Sequence, residues 1–95
     1  MDEMQLNISG NKIEVNGIIK TINDAQEIID ALKGVRDNTV YLKINDSFGL
    51  PSSIIGYLMQ LKDEGKEVFL EVKSDILYSL LEDLDLVDVF NVRKV

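Results

Sequence analysis

Four consecutive stretches decide the fold: 39-TVYLKI-44, 45-NDSFGL-50, 51-PSSIIGYLMQLKDEG-65 and 67-EVFLEV-72. In the first, Val40, Leu42 and Ile44 alternate with polar or larger residues, so one face of an extended chain is apolar. The loop Asn45–Pro51 follows. The period then changes: Ile54, Ile55, Leu58 and Leu61 fall at helical spacing, from about Ser53 to Glu64, and Gly65 stops the helix. Val68, Leu70 and Val72 restore the alternation. A strand, one helix and a second strand form a unit whose strands run parallel and whose crossover is right-handed.

Outward from this unit the pattern repeats. Upstream, Met4–Ile8 and Lys12–Val15 each alternate, the second with Ile13 and Val15 on one face. Asn16-Gly17 is either a tight turn or a bend, since Ile18-Ile19 continues the apolar run. Ala25, Ile28, Ile29 and Leu32 then mark a helix, with Asn23 as the expected N-cap, Gln26 reaching back to it, and Gly34 just past the end. Downstream, Ser74 is the N-cap expected for a third helix, with a wide apolar stripe at Ile76, Leu77, Leu80, Leu81 and Leu84. Val87–Val92 closes the chain as a short strand or turn. The order is β-β-α-β-α-β-α-(β): an α/β mixed sheet with helices packed on it, one domain over residues 1–95.

Composition narrows the function. With neither cysteine nor histidine among the 95 residues, disulfides, thiolate chemistry, ordinary zinc sites and every Ser-His or Cys-His catalytic arrangement are excluded. Seventeen acidic residues against ten basic ones give a formal charge of −7, and the lysines are scattered, which argues against direct nucleic-acid binding. No apolar run approaches the roughly 20 residues needed to cross a bilayer, so no membrane insertion is expected. Met1-Asp2-Glu3-Met4 lacks the basic start of a secretory signal, so the expected compartment is the cytoplasm. No cofactor is implied.

The element order, the strand 40-VYLKI-44, the helix opening at 51-PSSI-54 and ending at Gly65, and the closing 84-LDLVDVF-90 resemble the STAS domain, the fold named for sulphate transporters and anti-sigma factor antagonists. The resemblance spans about Lys12 to Val92. It implies a non-enzymatic, regulatory protein-interaction module of bacterial signalling that binds an anti-sigma factor or other kinase-like partner. Members of that family carry an Asp-Ser-Ser-Gly motif at this helix, whose serine is phosphorylated by the partner to end binding. Ungapped counting from Leu42 places Ser52 there, although Pro51 replaces the aspartate and Ile54 the glycine. A second register aligns Asp46-Ser47-Phe48-Gly49 instead and restores both. Proline favours the first register, because a helix starting at Ser47 would carry Pro51 near its second turn. Ser52 is therefore the expected phosphorylation site, with Ser47 and Ser53 as alternates. The expected partner-binding surface is Phe48, Gly49, Leu50, Pro51, Ser52, Ser53 and Gly56. The resemblance also admits a second role: a STAS subunit of a lipid-transport ABC complex, or an unphosphorylated scaffold, to which the missing aspartate and glycine point.

The plainer readings are structural. A serine at a helix start is most often an N-cap, and Leu50 tucked into the core with Phe48 shielding a strand end would explain the loop. Glu82, Asp83, Asp85 and Asp88 lack the ligand spacing of a calcium loop and read as a solvated face. Gly10-Asn11-Lys12 lacks the spacing of a phosphate loop. Ser52 and Lys62, ten residues apart on one helix, stand about 15 Å from each other, too far for a Ser-Lys pair. A carboxylate enzyme using Asp46 and Glu64 is the least supported of the readings.

Overall fold

Eight elements follow one another in the computed structural model: β1 (Gln5–Ser9), β2 (Lys12–Asn16), α1 (Ile22–Lys33), β3 (Thr39–Ile44), α2 (Ser52–Asp63), β4 (Glu67–Val72), α3 (Asp75–Asp83) and β5 (Arg93–Lys94). The structure describes residues 3–95; Met1 and Asp2, part of the acidic start read above, lie outside the described residues. The five strands form one mixed sheet in the order β1-β2-β3-β4-β5. β1 and β2 are an antiparallel hairpin, and every later pair is parallel. Gly10 opens the hairpin turn with a φ of +60°.

Chain order and sheet order coincide, which fixes where the helices go. Each crossover steps one strand in the same direction, and crossovers of one hand then place α1, α2 and α3 on the same face of the sheet. Burial agrees. On β2, β3 and β4 the residues Ile13, Val15, Val40, Leu42, Val68 and Leu70 are fully buried, while their neighbours along each strand are half-buried or exposed. A sheet covered on both faces would lack that alternation. The core is a single layer between sheet and helices, closed by Ala25, Ile28 and Leu32 from α1, Ile54, Leu58 and Leu61 from α2, and Leu77 and Leu81 from α3.

The helix ends differ in part from the expectations. Thr21, not Asn23, caps α1: its hydroxyl accepts from the Asp24 N–H at 3.0 Å, while the Asp24 carboxylate accepts from the Thr21 N–H at 3.2 Å. The capping box therefore sits two residues earlier, and Gln26 hydrogen-bonds Asp30 instead. Gly34 does end α1, but in right-handed geometry at φ −78°, because the following Val35 turns straight into the core. Gly65 ends α2 in the left-handed conformation, with its N–H on the Lys62 carbonyl and the Lys66 N–H on that of Leu61. Asp85 and Leu86 repeat this arrangement behind α3, Asp85 taking the left-handed position at φ +59°.

Ser74 caps α3 as expected, accepting from the Leu77 N–H at 3.1 Å. Its apolar stripe is narrower than the sequence implied: Leu77 and Leu81 are buried, whereas Ile76, Leu80 and Leu84 face solvent. Residues 87–91 form turns, not a strand. They seat Phe90 in the core before Arg93–Lys94 joins the sheet. No helix among the described residues is long and apolar enough to cross a membrane.

Candidate functional site

In open α/β sheets, the carboxyl ends of the parallel strands and the amino ends of the helices that follow them share one edge of the molecule, and ligands and partners most often engage there. Here that edge is built from residues 17–22, after β2, and residues 45–53, after β3. Two polar contacts tie the segments together. The Gly17 N–H donates to Asp46 Oδ2 at 2.7 Å, and the Ser47 hydroxyl donates to the Gly49 carbonyl at 2.9 Å while accepting from the Ile19 N–H at 3.4 Å. Gly17 is required where it stands: its φ is +94°, and a Cβ there would lie 3.0 Å from Met4 Cα. Asn16-Gly17 is thus a bend that turns the chain towards Asp46.

Ser47 is consequently an internal strut, only 2% exposed. Ser52 is its opposite. It is the first residue of α2, exposed, one position after the N-cap Pro51, and the helix has no side-chain cap. The capping explanation for this serine does not hold, since proline occupies the capping position. Pro51 contributes its carbonyl, which accepts from the Ile54 and Ile55 N–H groups. The free amides and the helix dipole make this end favourable for negative charge.

Of the seven residues expected to form the partner surface, Leu50 alone is buried; it anchors the loop from below, in line with the plainer structural reading. Phe48 does not shield a strand end, because 58% of it faces solvent. Ser52, Ser53 and Gly56 are exposed on the outer side of α2, with Gly49 and Pro51 half-buried between. A Cβ at Gly56 would meet nothing within 4 Å, so no internal contact demands glycine in this helix.

Two residues belong to this surface that the sequence reading left out. Ile22, at the start of α1, is 87% exposed, and Ile18 is also exposed. Ile22 and Pro51 both line a cleft of about 330 Å³, together with Ile19, Lys20, Thr21, Ala25 and Ser53. The signal was present, since Ile22 lies three residues before Ala25, but it reads equally as core. Beside the cleft, the Lys20 N–H donates to Asp24 at 2.9 Å, and this bond, with the Thr21 contacts, holds the Asp24 carboxyl below its ordinary value against the opposing effect of desolvation.

The other constellations stay apart. Asp46 and Glu64 lie at opposite ends of α2, about 18 Å of helix between them. Glu82, Asp83, Asp85 and Asp88 are all exposed, and among the described residues no three acidic groups converge to hold a metal ion. In comparison with known proteins, no family model matches the chain, and no curated protein or solved structure matches it.

Proposed function

We propose that this chain is a STAS-like protein-interaction module that docks a protein partner through the edge carrying Ile22, Phe48 and the start of α2. The observation that carries the proposal is the exposed Phe48 beside an uncapped helix N-terminus. An aromatic ring held out on a loop anchored by Leu50 and Ser47 has no internal use, and rigidly presented aromatics are the usual anchors of protein interfaces. Ser52 is the phosphorylation site in this proposal. Its hydroxyl is accessible, the helix end tolerates a phosphate, and the added charge next to Pro51, on the edge that also carries Phe48 and Ile22, opposes an apolar contact. The partner class implied by the resemblance is a kinase-like anti-sigma factor; no cofactor and no catalysis by this chain are needed, and the compartment proposed is the cytoplasm.

The test is phosphosite mass spectrometry on the protein isolated from its host, with co-purifying proteins identified in the same run. Phosphate on Ser52 together with a kinase-like partner lost by Phe48→Ala supports the switch. A partner retained in full by Phe48→Ala removes this edge as the interface.

One observation favours a second role, as a permanent subunit of a lipid-transport ABC complex. Ile76, Leu80 and Leu84 form an exposed apolar row at i, i+4 and i+8 along α3 and its C-cap, a face of the kind that lasting assemblies keep covered. An unmodified chain travelling with transporter subunits through Ile76 and Leu80 would decide for it.

A further inference from the structure

The sheet face without helices carries an ordered charge pattern. Strand register puts Glu14, Lys43, Glu71 and Arg93 side by side in one row across β2, β3, β4 and β5. The next row brings Lys12, Tyr41 and Phe69 together, the two rings stacked with centroids 5.0 Å apart. Signs alternate along the first row, yet its members form no ion pair within 4 Å: among the described residues the ion pair present is Lys94–Asp75, on the other side of the sheet. The Asn45 amide donates to Glu14 Oε2 at 2.7 Å and, more than the nearby Lys43 and Lys12, keeps that carboxyl below its ordinary value. The row thus presents charged side chains of alternating sign on the helix-free face.

The face is also neutral. Lys12, Lys43 and Arg93 balance Glu14, Glu67 and Glu71, three against three, so the formal −7 of the whole chain lies elsewhere. Two copies approaching through this face would turn their excess negative charge away from each other.

The order of signs selects the occupant. Read backwards, the row Glu-Lys-Glu-Arg becomes Arg-Glu-Lys-Glu, opposite in sign at every position. A two-fold axis parallel to the strands, passing between β3 and β4, performs that reversal. It sets Lys43 against Glu71 of the second copy and Glu14 against Arg93, each pair occurring twice. The same axis lays Tyr41 over Phe69 at the centre. We propose that the helix-free face is a self-complementary docking surface for a second copy of this chain, giving a two-fold dimer of sheets packed face to face. Aligned sheets pack about 10 Å apart, within reach of lysine and glutamate side chains from both faces. Sheet twist separates the rows towards the rim, so the central Lys43·Glu71 and Tyr41·Phe69 contacts dominate. The axis overlays β2 to β5, and with β5 only two residues long these four strands, about 4.8 Å apart, offer a flat footprint of roughly 300 Å², below the ~800 Å² per partner of a standard interface. The dimer is therefore weak, with a dissociation constant on the order of 100 µM, and salt-sensitive. It leaves the Phe48 edge free and does not depend on the function proposed above.

The test is sedimentation velocity on the intact chain from about 10 to about 500 µM. The wild type passes from monomer to dimer over this range, and roughly 0.5 M salt shifts it back towards monomer. Lys43→Glu and Glu71→Lys each weaken self-association at least about tenfold, because each sets like charges opposite one another. An equimolar mixture of the two variants recovers the dimer, since the carboxylate introduced in one then faces the ammonium introduced in the other. Far-UV circular dichroism establishes that both variants are folded, and the mixture separates a lost interface from a lost fold. A wild type that stays monomeric at every concentration, or variants that dimerise alone as well as they do together, would overturn the proposal.

Discussion

Ser47 and Ser52 are five residues apart and both were candidates for phosphorylation; aspartate at each should have opposite effects on stability. Ser47 is 2% exposed, with its hydroxyl donating to the Gly49 carbonyl and accepting from the Ile19 N–H. An ionised aspartate there has no proton to give the Gly49 carbonyl. It leaves that carbonyl facing a carboxylate and places a charge in a buried site, a combination that costs about 3–5 kcal/mol. Even Ser47→Ala, which only orphans the two backbone groups, costs about 1–3 kcal/mol. At Ser52 the added carboxylate is exposed, stands in the first turn of an uncapped helix, and stabilises by about 0.3–1 kcal/mol. For a domain of this size 1 kcal/mol moves Tm by about 4–8 °C, so Ser52→Asp raises it by a few degrees and Ser47→Asp lowers it by roughly 15 °C or more. The chain has no tryptophan, so the assay is urea and thermal unfolding followed by far-UV circular dichroism. A Ser47→Asp chain as stable as the wild type, or a Ser52→Asp chain destabilised by more than about 1 kcal/mol, would refute the reasoning about both positions.

Other substitutions probe the same edge and the helix ends. Gly17→Ala meets both a left-handed φ and the Met4 backbone at 3.0 Å, and should cost about 2 kcal/mol or more in urea unfolding. Gly56→Ala has open space around the new methyl group and should stabilise by about 0.5–1 kcal/mol; if a partner packs against α2 there, the same change weakens binding in calorimetry. Asp85→Gly relieves a left-handed aspartate and removes one charge from an acidic turn, for a gain of about 0.5–1 kcal/mol by thermal unfolding. The Asp24 carboxyl is held below 3.8, so the stability it lends is present above that pH and fades as the pH falls through the lowered value; the gap between wild type and Asp24→Asn should close accordingly in acid titrations.

Strand and helix identities were legible because each element repeats its period at least twice. Val40, Leu42 and Ile44 cannot share one face except in a strand, and Ala25, Ile28 and Leu32 cannot except in a helix. What stayed hidden is local competition among equivalent signals. Thr21 with Asp24 and Asn23 with Gln26 are both acceptable capping pairs, and the earlier one wins because Ala25 must already lie in the core. Ser52 resembles a cap, yet Pro51 reaches the capping position first and offers no side-chain acceptor. Exposure was the least legible property. Ile76, Leu77, Leu80, Leu81 and Leu84 form one broad stripe in the sequence, but α3 packs against β4 and the two-residue β5 through one side alone and buries only Leu77 and Leu81. Phe48 and Leu50 look alike as apolar loop residues, and the Ser47 turn decides which of them points outward.

The coincidence of chain order and sheet order has a consequence for how the molecule assembles. No strand is inserted between two that precede it in the chain, so each strand-helix unit can dock on an edge already formed, from the β1–β2 hairpin onwards. The loops to be closed are short, their entropy cost grows only slowly with length, and folding by successive addition should be fast. The two-residue β5 is then the last addition and the first to leave. Its amides, held by a single short ladder against β4, should exchange with solvent well before those of β3, which is paired along its length with β4 and over residues 41–44 with β2.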